Sequence, residues 1–199
     1  MYMVEKTLRV LHYFLFLFVL FLVAPTQLSA QRIGDFWVYA SEGMIVLDGE
    51  IKNGSQLDFQ RALRTVGIPK IVLLNSGGGN VSAALELASE IYDRNLTTYV
   101  QEGKLCASAC SIIFFAGKRR LALGDVGVHQ MSSRGPASLA GLQFILADVL
   151  SAFDSFGVDY RVLQKMLRTP PANMYFFSQA EKDGGALTGL RLIKFNLQQ

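Results

Sequence analysis

The stretch Lys70–Asn80, KIVLLNSGGGN, decides the fold. Lys70 to Leu74 is a short apolar run rich in β-branched and aliphatic residues, which reads as a buried strand. It stops at Asn75-Ser76-Gly77-Gly78-Gly79, and a helical period begins at Val81 and runs to about Arg94, with Val81, Leu85, Ala88 and Tyr92 on one stripe. Upstream, Met44 to Leu47 is a similar run closed by Asp48-Gly49. A helix follows to Val66, with Ser55 as its cap, Asp58 at the capping-box position and Leu57, Phe59, Ala62, Leu63 and Val66 as apolar members. Downstream, Thr97 to Val100 reads as a strand, Leu105 to Ala116 as a mostly apolar helix, and Val126 to His129 as a strand. This β-α-β-α order predicts an α/β fold with a largely parallel sheet and crossover helices.

Gly135-Pro136 marks a break, after which Leu139 to Phe156 and Tyr160 to Leu167 read as helices before Pro170-Pro171. Ser178-Gln179-Ala180-Glu181 is a second capping-box pattern, and Leu190 to Phe195 reads as a closing strand. No internal repeat or long linker interrupts residues 31–199, which read as one domain. Residues 1–30 differ from the rest. Lys6 and Arg9 precede an unbroken apolar run from Tyr13 to Ala24, and Pro25 to Ala30 ends in small residues. That is the layout of a secretory signal peptide, with cleavage expected after Ala30. The alternative is an uncleaved anchor, the chain's only contact with a membrane, holding the domain on the periplasmic side of the inner membrane. Either reading makes the domain exported, periplasmic or secreted.

Composition excludes several classes. With 51% hydrophobic residues among 199, the chain is not intrinsically disordered. A net charge of +3 without a run of Lys and Arg gives no phosphate-binding stripe, so nucleic acid is not an expected partner. Asn53, Asn80 and Asn95 each begin an Asn-x-Ser/Thr triplet, read as chance among turn-forming residues. Two Cys and two His rule out a four-thiolate or His-rich metal site, and no metal or cofactor is expected. His12 lies in the leader, so a cleaved chain keeps only His129 as an imidazole base.

Three local features carry chemistry. Cys106-Ala107-Ser108-Ala109-Cys110 places a Ser at the junction between a strand region and an apolar helix, where helix N-terminal amides favour an anion. The plainer reading is a Ser N-cap. The two Cys bracketing it form a disulfide in an oxidising compartment, or else pack as small buried thiols. The glycines 77–79 can turn backbone N–H groups toward an oxyanion or a peptide main chain. They lack the Lys of a P-loop and the spacing of a dinucleotide-binding loop. His129 ends the next strand.

Taken in order, these features resemble the proteolytic subunit of Clp protease. The resemblance runs from about Ile45 to Leu190. Ile45-Val46-Leu47-Asp48-Gly49-Glu50-Ile51 is similar to that family's first core strand and turn, and Leu74-Asn75-Ser76-Gly77-Gly78-Gly79 to its substrate-binding loop. Ser108 to Gly117 is similar to the helix carrying its nucleophile, and Val128-His129-Gln130 to the strand end carrying its His. Small exported bacterial Clp-like proteins, which share the Cys-x-Ser-Ala-Cys segment, are closer still. The resemblance implies a Clp/crotonase-like spiral of ββα units. It implies Ser108 as nucleophile, His129 as general base, the N–H groups of Gly79 and Ala109 as oxyanion hole, and Gly77 and Gly78 as substrate loop. It also implies a homo-oligomer.

Two positions depart from that family. Counting back four from Ser178 in Phe176-Phe177-Ser178 puts Met174 where the resemblance expects the triad Asp; Asn173 is adjacent, and Asp154 and Asp159 lie in the preceding helical region. Gly77 replaces the loop's Pro. Lys104 and Lys118 match no catalytic Lys of the fold and read as surface charges. The expectation is an exported, ATP-independent serine peptidase that hydrolyses short or unfolded peptides. The alternative is an inactive Clp-fold protein that binds extended peptides or acts as an assembly scaffold. Crotonase-like acyl-CoA chemistry ranks last, because exported CoA substrates are improbable.

Overall fold

The computed structural model describes residues 30–132 and 138–183. Residues 1–29 of the leader, the Gly135-Pro136 break and the Leu190–Phe195 strand expected from the sequence lie outside the described residues, whereas Ala30, the leader's expected last residue, opens a strand. The chain is mixed α/β with a mostly parallel main sheet. Six strands build that sheet: β1 (Ala30–Ile33), β2 (Phe36–Tyr39), β3 (Met44–Asp48), β4 (Ile71–Asn75), β5 (Thr97–Val100) and β7 (Arg119–Ala122), side by side in that order. β1, β2 and β3 form an antiparallel meander, whereas β3, β4, β5 and β7 run parallel. A second sheet has the order β6 (Leu105–Ala107), β8 (Asp125–Val128), β9 (Tyr175–Phe176), with β6 and β8 parallel.

Helices connect the parallel strands: α1 (Ser55–Val66), α2 (Val81–Asp93) and α3 (Ala109–Phe115). α4 (Leu139–Ser155), α5 (Tyr160–Arg168) and α6 (Gln179–Asp183) follow. Among the described residues no helix is long and apolar enough to cross a membrane. One face of the main parallel strands is buried through Ile45 and Leu47 on β3 and Val72 and Leu74 on β4, and Leu73 is buried on the opposite face of β4. Phe36 packs against Phe59 of α1 with tilted rings, centroids 5.4 Å apart. On the other side Phe114, Phe115 and Phe153 form an edge-to-face series that joins α3 to α4, a geometry that suits the aromatic quadrupole. Arg120 is buried beneath this series, and desolvation pushes its guanidinium down to about 10. It donates to the carbonyls of Gly117 and Phe156, fixing the α3–β7 turn to the end of α4.

Several sequence expectations need correction. The segment Leu105 to Ala116 is not one helix but strand β6, the single residue Ser108, and helix α3. Ser55 does not cap α1: Gly54 is the cap, and Ser55 is the buried first helical residue, its Oγ accepting the Lys52 N–H at 2.8 Å. Leu57 is 53% exposed and faces solvent, away from Phe59, Ala62, Leu63 and Val66, which are buried. On α2 the buried face is Ala83, Ala84, Leu87, Ala88 and Ile91, rotated from the expected stripe, so that Tyr92 stands at the surface against Phe156. Small alanines let α2 approach α3 closely. β1, β2 and β7 were absent from the sequence reading.

Phe153, fully buried in the aromatic series, is the residue whose loss is expected to cost most. Phe153→Ala should lower the unfolding free energy by about 3–5 kcal/mol, whereas Ile68→Ala, at an exposed turn, should change it by less than about 0.5 kcal/mol. Urea titration of the two variants reads both numbers.

Candidate active site

Parallel pairing places the two expected catalytic residues. β6 and β8 lie in register with Ala107 opposite Gly127, so both strands end at the same level. Ser108 is the residue after Ala107 on one strand, and His129 is two beyond Gly127 on the other. His129 Nε2 lies 2.7 Å from Ser108 Oγ. The strand end bearing His129 is held from behind, since the Gln130 N–H donates to Thr169 O at 2.9 Å and its side-chain amide donates to Leu167 O at 2.6 Å. Position, rather than sequence distance, makes the pair.

Ser108 has φ 56° and ψ −127°, so its backbone is in the positive-φ region that L residues rarely adopt. Among the described residues only Asn95 shares that property outside glycine, and Asn tolerates it well. A strained Ser between a strand and a helix exposes its Oγ, as in a nucleophile elbow. The conformation is fixed on both sides. The Ser108 N–H donates to Gly127 O at 3.0 Å, and Ser108 O accepts from the Ser111 N–H at 2.9 Å and the Ser111 hydroxyl at 2.6 Å. Ser108 also does not cap α3 with its side chain, which leaves the hydroxyl to His129.

Cys106 and Cys110 are joined as a disulfide that spans this elbow. Of the two readings open from the sequence, bonded and free, the bonded one describes the structure. A five-residue ring is short, so its expected contribution through unfolded-chain entropy is only about 2 kcal/mol.

The glycine loop closes the other side. Ser76 pairs with Cys106 in a parallel bridge, its N–H donating to Leu105 O at 2.7 Å and its carbonyl accepting from Ala107 at 3.0 Å. Asn75 reaches in two directions, donating to Asp48 at 2.6 Å and accepting from the Leu105 N–H at 3.3 Å. The Gly78 N–H is spent on Ser76 Oγ, and Gly78 O accepts from Ile51. Gly79 forms a parallel bridge with Ile51, in which Ile51 bonds to Gly78 O and the Asn80 N–H. In such a bridge the N–H of Gly79 itself points to the opposite side. Gly79 and Ala109 both line the cleft, and among the described residues neither N–H donates to a protein acceptor. Two glycines are dictated by space. A Cβ on Gly78 would stand 2.7 Å from Ser108 Cβ, and one on Gly79 would stand 2.1 Å from Ile51 O. Gly77 also lines the cleft but has open space around it.

The cleft encloses about 1110 Å³ and has two characters. Glu50, Lys52, Asn53, Asn80 and Ser82 contribute polar lining, and Ile112, Leu142, Ile145, Val149, Met131 and Met166 apolar lining. Met174 lines it too, beside Gly127, where a Cβ would meet Met174 Cγ at 2.9 Å. His129 Nδ1 is buried and has no hydrogen-bond partner among the described residues. Asn173 is exposed, Asp154 is exposed on α4, and Asp159 caps α5 and pairs with Arg161, so none of the three reaches the ring. Lys104 and Lys118 are exposed and lie outside the cleft. Among the described residues no group of His, Cys, Asp or Glu could hold a metal ion.

Sequence reasoning missed Asn75, Ser76, Gly127, Gln130 and Glu181 as supporting residues. Glu181 bonds Tyr175 Oη at 2.6 Å and the Ser178 N–H and hydroxyl at 2.9 and 2.8 Å, tying the strand beside Met174 to α6. The sequence marked it only as a capping box. No protein-family model and no curated protein matches this chain.

Two outcomes follow from these contacts. Ser108→Gly and Ser108→Ala both remove the bond to His129, but Gly accepts φ 56° freely, so the Gly variant should be the more stable by about 1 kcal/mol; differential scanning calorimetry of both checks it. The Tyr175 hydroxyl, and then the Ser178 donors, hold the Glu181 carboxyl below its ordinary range. A depressed folded value means that the tie stabilises above the ordinary Glu range and is lost as pH falls through the lower value. Wild type should therefore exceed Glu181→Gln in stability near neutral pH and converge with it on acidification, followed by thermal melts.

Proposed function

We propose that this chain is a serine hydrolase acting on peptides, with Ser108 as nucleophile and His129 as general base. The observation that carries the reading is the 2.7 Å approach of His129 Nε2 to the hydroxyl of a Ser held at φ 56° on a strand-to-helix elbow. A neutral imidazole takes the Oγ proton as Oγ bonds to the scissile carbonyl carbon. The Gly79 and Ala109 N–H groups then donate to the developing oxyanion and stabilise its charge, a contribution whose loss typically costs about 10²–10³ in rate per donor. The imidazolium returns its proton to the leaving amine, and water repeats the sequence on the acyl-enzyme. Each proton taken is given back.

In this reading the two sheets and their helices are the Clp/crotonase-like spiral of ββα units. Support comes from the repeated strand–helix order and from the glycine loop, Ser elbow and His strand end meeting at one cleft. The apolar leader and the buried disulfide support export to an oxidising, periplasmic or secreted location. Substrates are short or already unfolded peptides, taken without ATP. Leu139 and Phe144, each 73% exposed on α4, support a homo-oligomer.

The second reading, a non-catalytic peptide binder, is favoured by one observation: His129 Nδ1 is buried without an acceptor among the described residues, and Met174 lines the same cleft. A peptidase of this kind runs below a full triad, since a mispartnered His in the classical template costs about 10⁴ in turnover. A fluorophosphonate probe separates the readings. The peptidase labels at Ser108, Ser108→Ala and His129→Ala do not, and Met174→Asp labels faster than wild type. Absence of wild-type labelling at every pH from about 6 to about 9, with peptide affinity retained in Ser108→Ala, establishes the binder instead.

A further inference from the structure

We propose that the Cys106–Cys110 disulfide is the positioning element of Ser108, and that its closure is the step that makes the site competent. The inference rests on the hydrolase reading only for its catalytic readout. Cys106 belongs to β6 and Cys110 is the second residue of α3, so the cross-link spans the elbow with Ser108 at the centre of its ring. A non-glycine residue at φ 56° persists only where its surroundings over-determine it. On the strand side a single bond to Gly127 O does this, and on the helix side two bonds from Ser111 do. α3 is only seven residues long, so its first turn is a weak anchor by itself. Relaxation of Ser108 to negative φ would swing Oγ away from His129 Nε2. The disulfide ties the strand to the helix across that residue and blocks the swing.

Ring size argues that the effect is local. Cross-links stabilise the whole fold more as the ring they close grows, and this one closes five residues. Its constraint falls on the backbone torsions between Cys106 and Cys110, which are the torsions that aim Ser108.

Both sulfurs belong to fully buried residues. A disulfide oxidant therefore reaches them before the segment is covered, not afterwards. One thiolate attacks the oxidant's disulfide to give a mixed disulfide. The second thiolate displaces the oxidant's remaining sulfur, releasing the oxidant as a dithiol that has gained two electrons and two protons. The same burial shields the closed bond from reductants. The device is a latch set once, during folding in an oxidising compartment. Chains folded under reducing conditions carry Ser108 and His129 without their pairing.

The test compares the full chain folded with the pair oxidised and folded in the presence of a dithiol reductant, with thiols counted by maleimide after denaturation. Fluorophosphonate labelling at Ser108 and backbone hydrogen exchange across residues 108–111 are read in both. The reduced chain is expected to label at least about 10²-fold more slowly, the penalty of a misplaced reacting group. It should exchange faster across 108–111 alone, and oxidative refolding should restore both. Dithiothreitol added to the native oxidised chain should change neither, and Cys106→Ala/Cys110→Ala should behave as the reduced chain. Equal labelling and equal exchange in a folded, reduced chain overturn the proposal. So does a rise in exchange throughout the chain, which would make the bond a global staple. Where neither form labels, the hydrolase reading fails and exchange alone decides: unchanged protection across 108–111 overturns the latch, and local loss of protection sustains it.

Discussion

The hydrogen bond from the Ser108 N–H to Gly127 O carries the architecture of the site. It continues the parallel register of β6 and β8 one residue past the last paired position, and so brings Ser108 and His129 to the same end of the two strands. A slip of β8 by one residue would send the His129 side chain to the opposite face. Two packing facts resist that slip. Gly127 has no room for a side chain, with the Phe176 ring 2.8 Å from where its Cβ would be. The residue after His129 is fastened to the end of α5 through both its N–H and its amide. Only with the register fixed does the 2.7 Å contact follow.

The glycine loop depends on the same strand. Ser76 adds to the edge of β6 opposite β8, so β6 is flanked by the loop on one side and by the His-bearing strand on the other. Three chain segments distant in sequence therefore converge through a three-residue strand. Asn75 fixes the spacing between β3, β4 and β6 with its single amide, which explains why a polar residue ends an otherwise aliphatic strand. Within the loop the N–H groups of Ser76, Gly78 and Asn80 are taken up by protein acceptors, which leaves those of Gly77 and Gly79 without one among the described residues.

Much of this was legible in residue types. The apolar runs at Met44–Leu47 and Lys70–Leu74 announced β3 and β4, and Phe59, Ala62, Leu63 and Val66 gave the buried face of α1. The order of three local features carries the resemblance to the Clp proteolytic subunit, and it is that resemblance which implies roles for Ser108, His129, Gly79 and Ala109. What escaped has physical reasons. Leu105-Cys106-Ala107 is too short for a period to show, and its small residues suit a helix as well as a strand, so β6 merged into α3. The positive φ of Ser108 is a tertiary imposition that no serine announces. Arg119 and Arg120 hid β7 because a buried Arg held by two carbonyls looks like surface charge. Phe36-Trp37-Val38-Tyr39, by contrast, carries a readable strand signal, aromatic and β-branched after Gly34-Asp35.

The unpartnered His129 Nδ1 is where the sequence and the geometry meet. For Nε2 to accept the Ser108 proton, a neutral ring must carry its own proton on Nδ1, and that N–H is buried without an acceptor among the described residues. Leaving a buried donor unmade costs about 1–3 kcal/mol. The other tautomer puts the proton on Nε2, pointing at Oγ, where it supports binding of the hydroxyl but not its activation. Met174 supplies neither an acceptor to select the reactive tautomer nor a charge to stabilise the imidazolium. The elbow, the donors at Gly79 and Ala109 and the Ser–His contact are all assembled, so what the site lacks is confined to one ring nitrogen. That confinement is why a single carboxylate at position 174 is a sufficient probe of the chemistry: it changes the proton's preferred seat and leaves the backbone that aims Ser108 untouched.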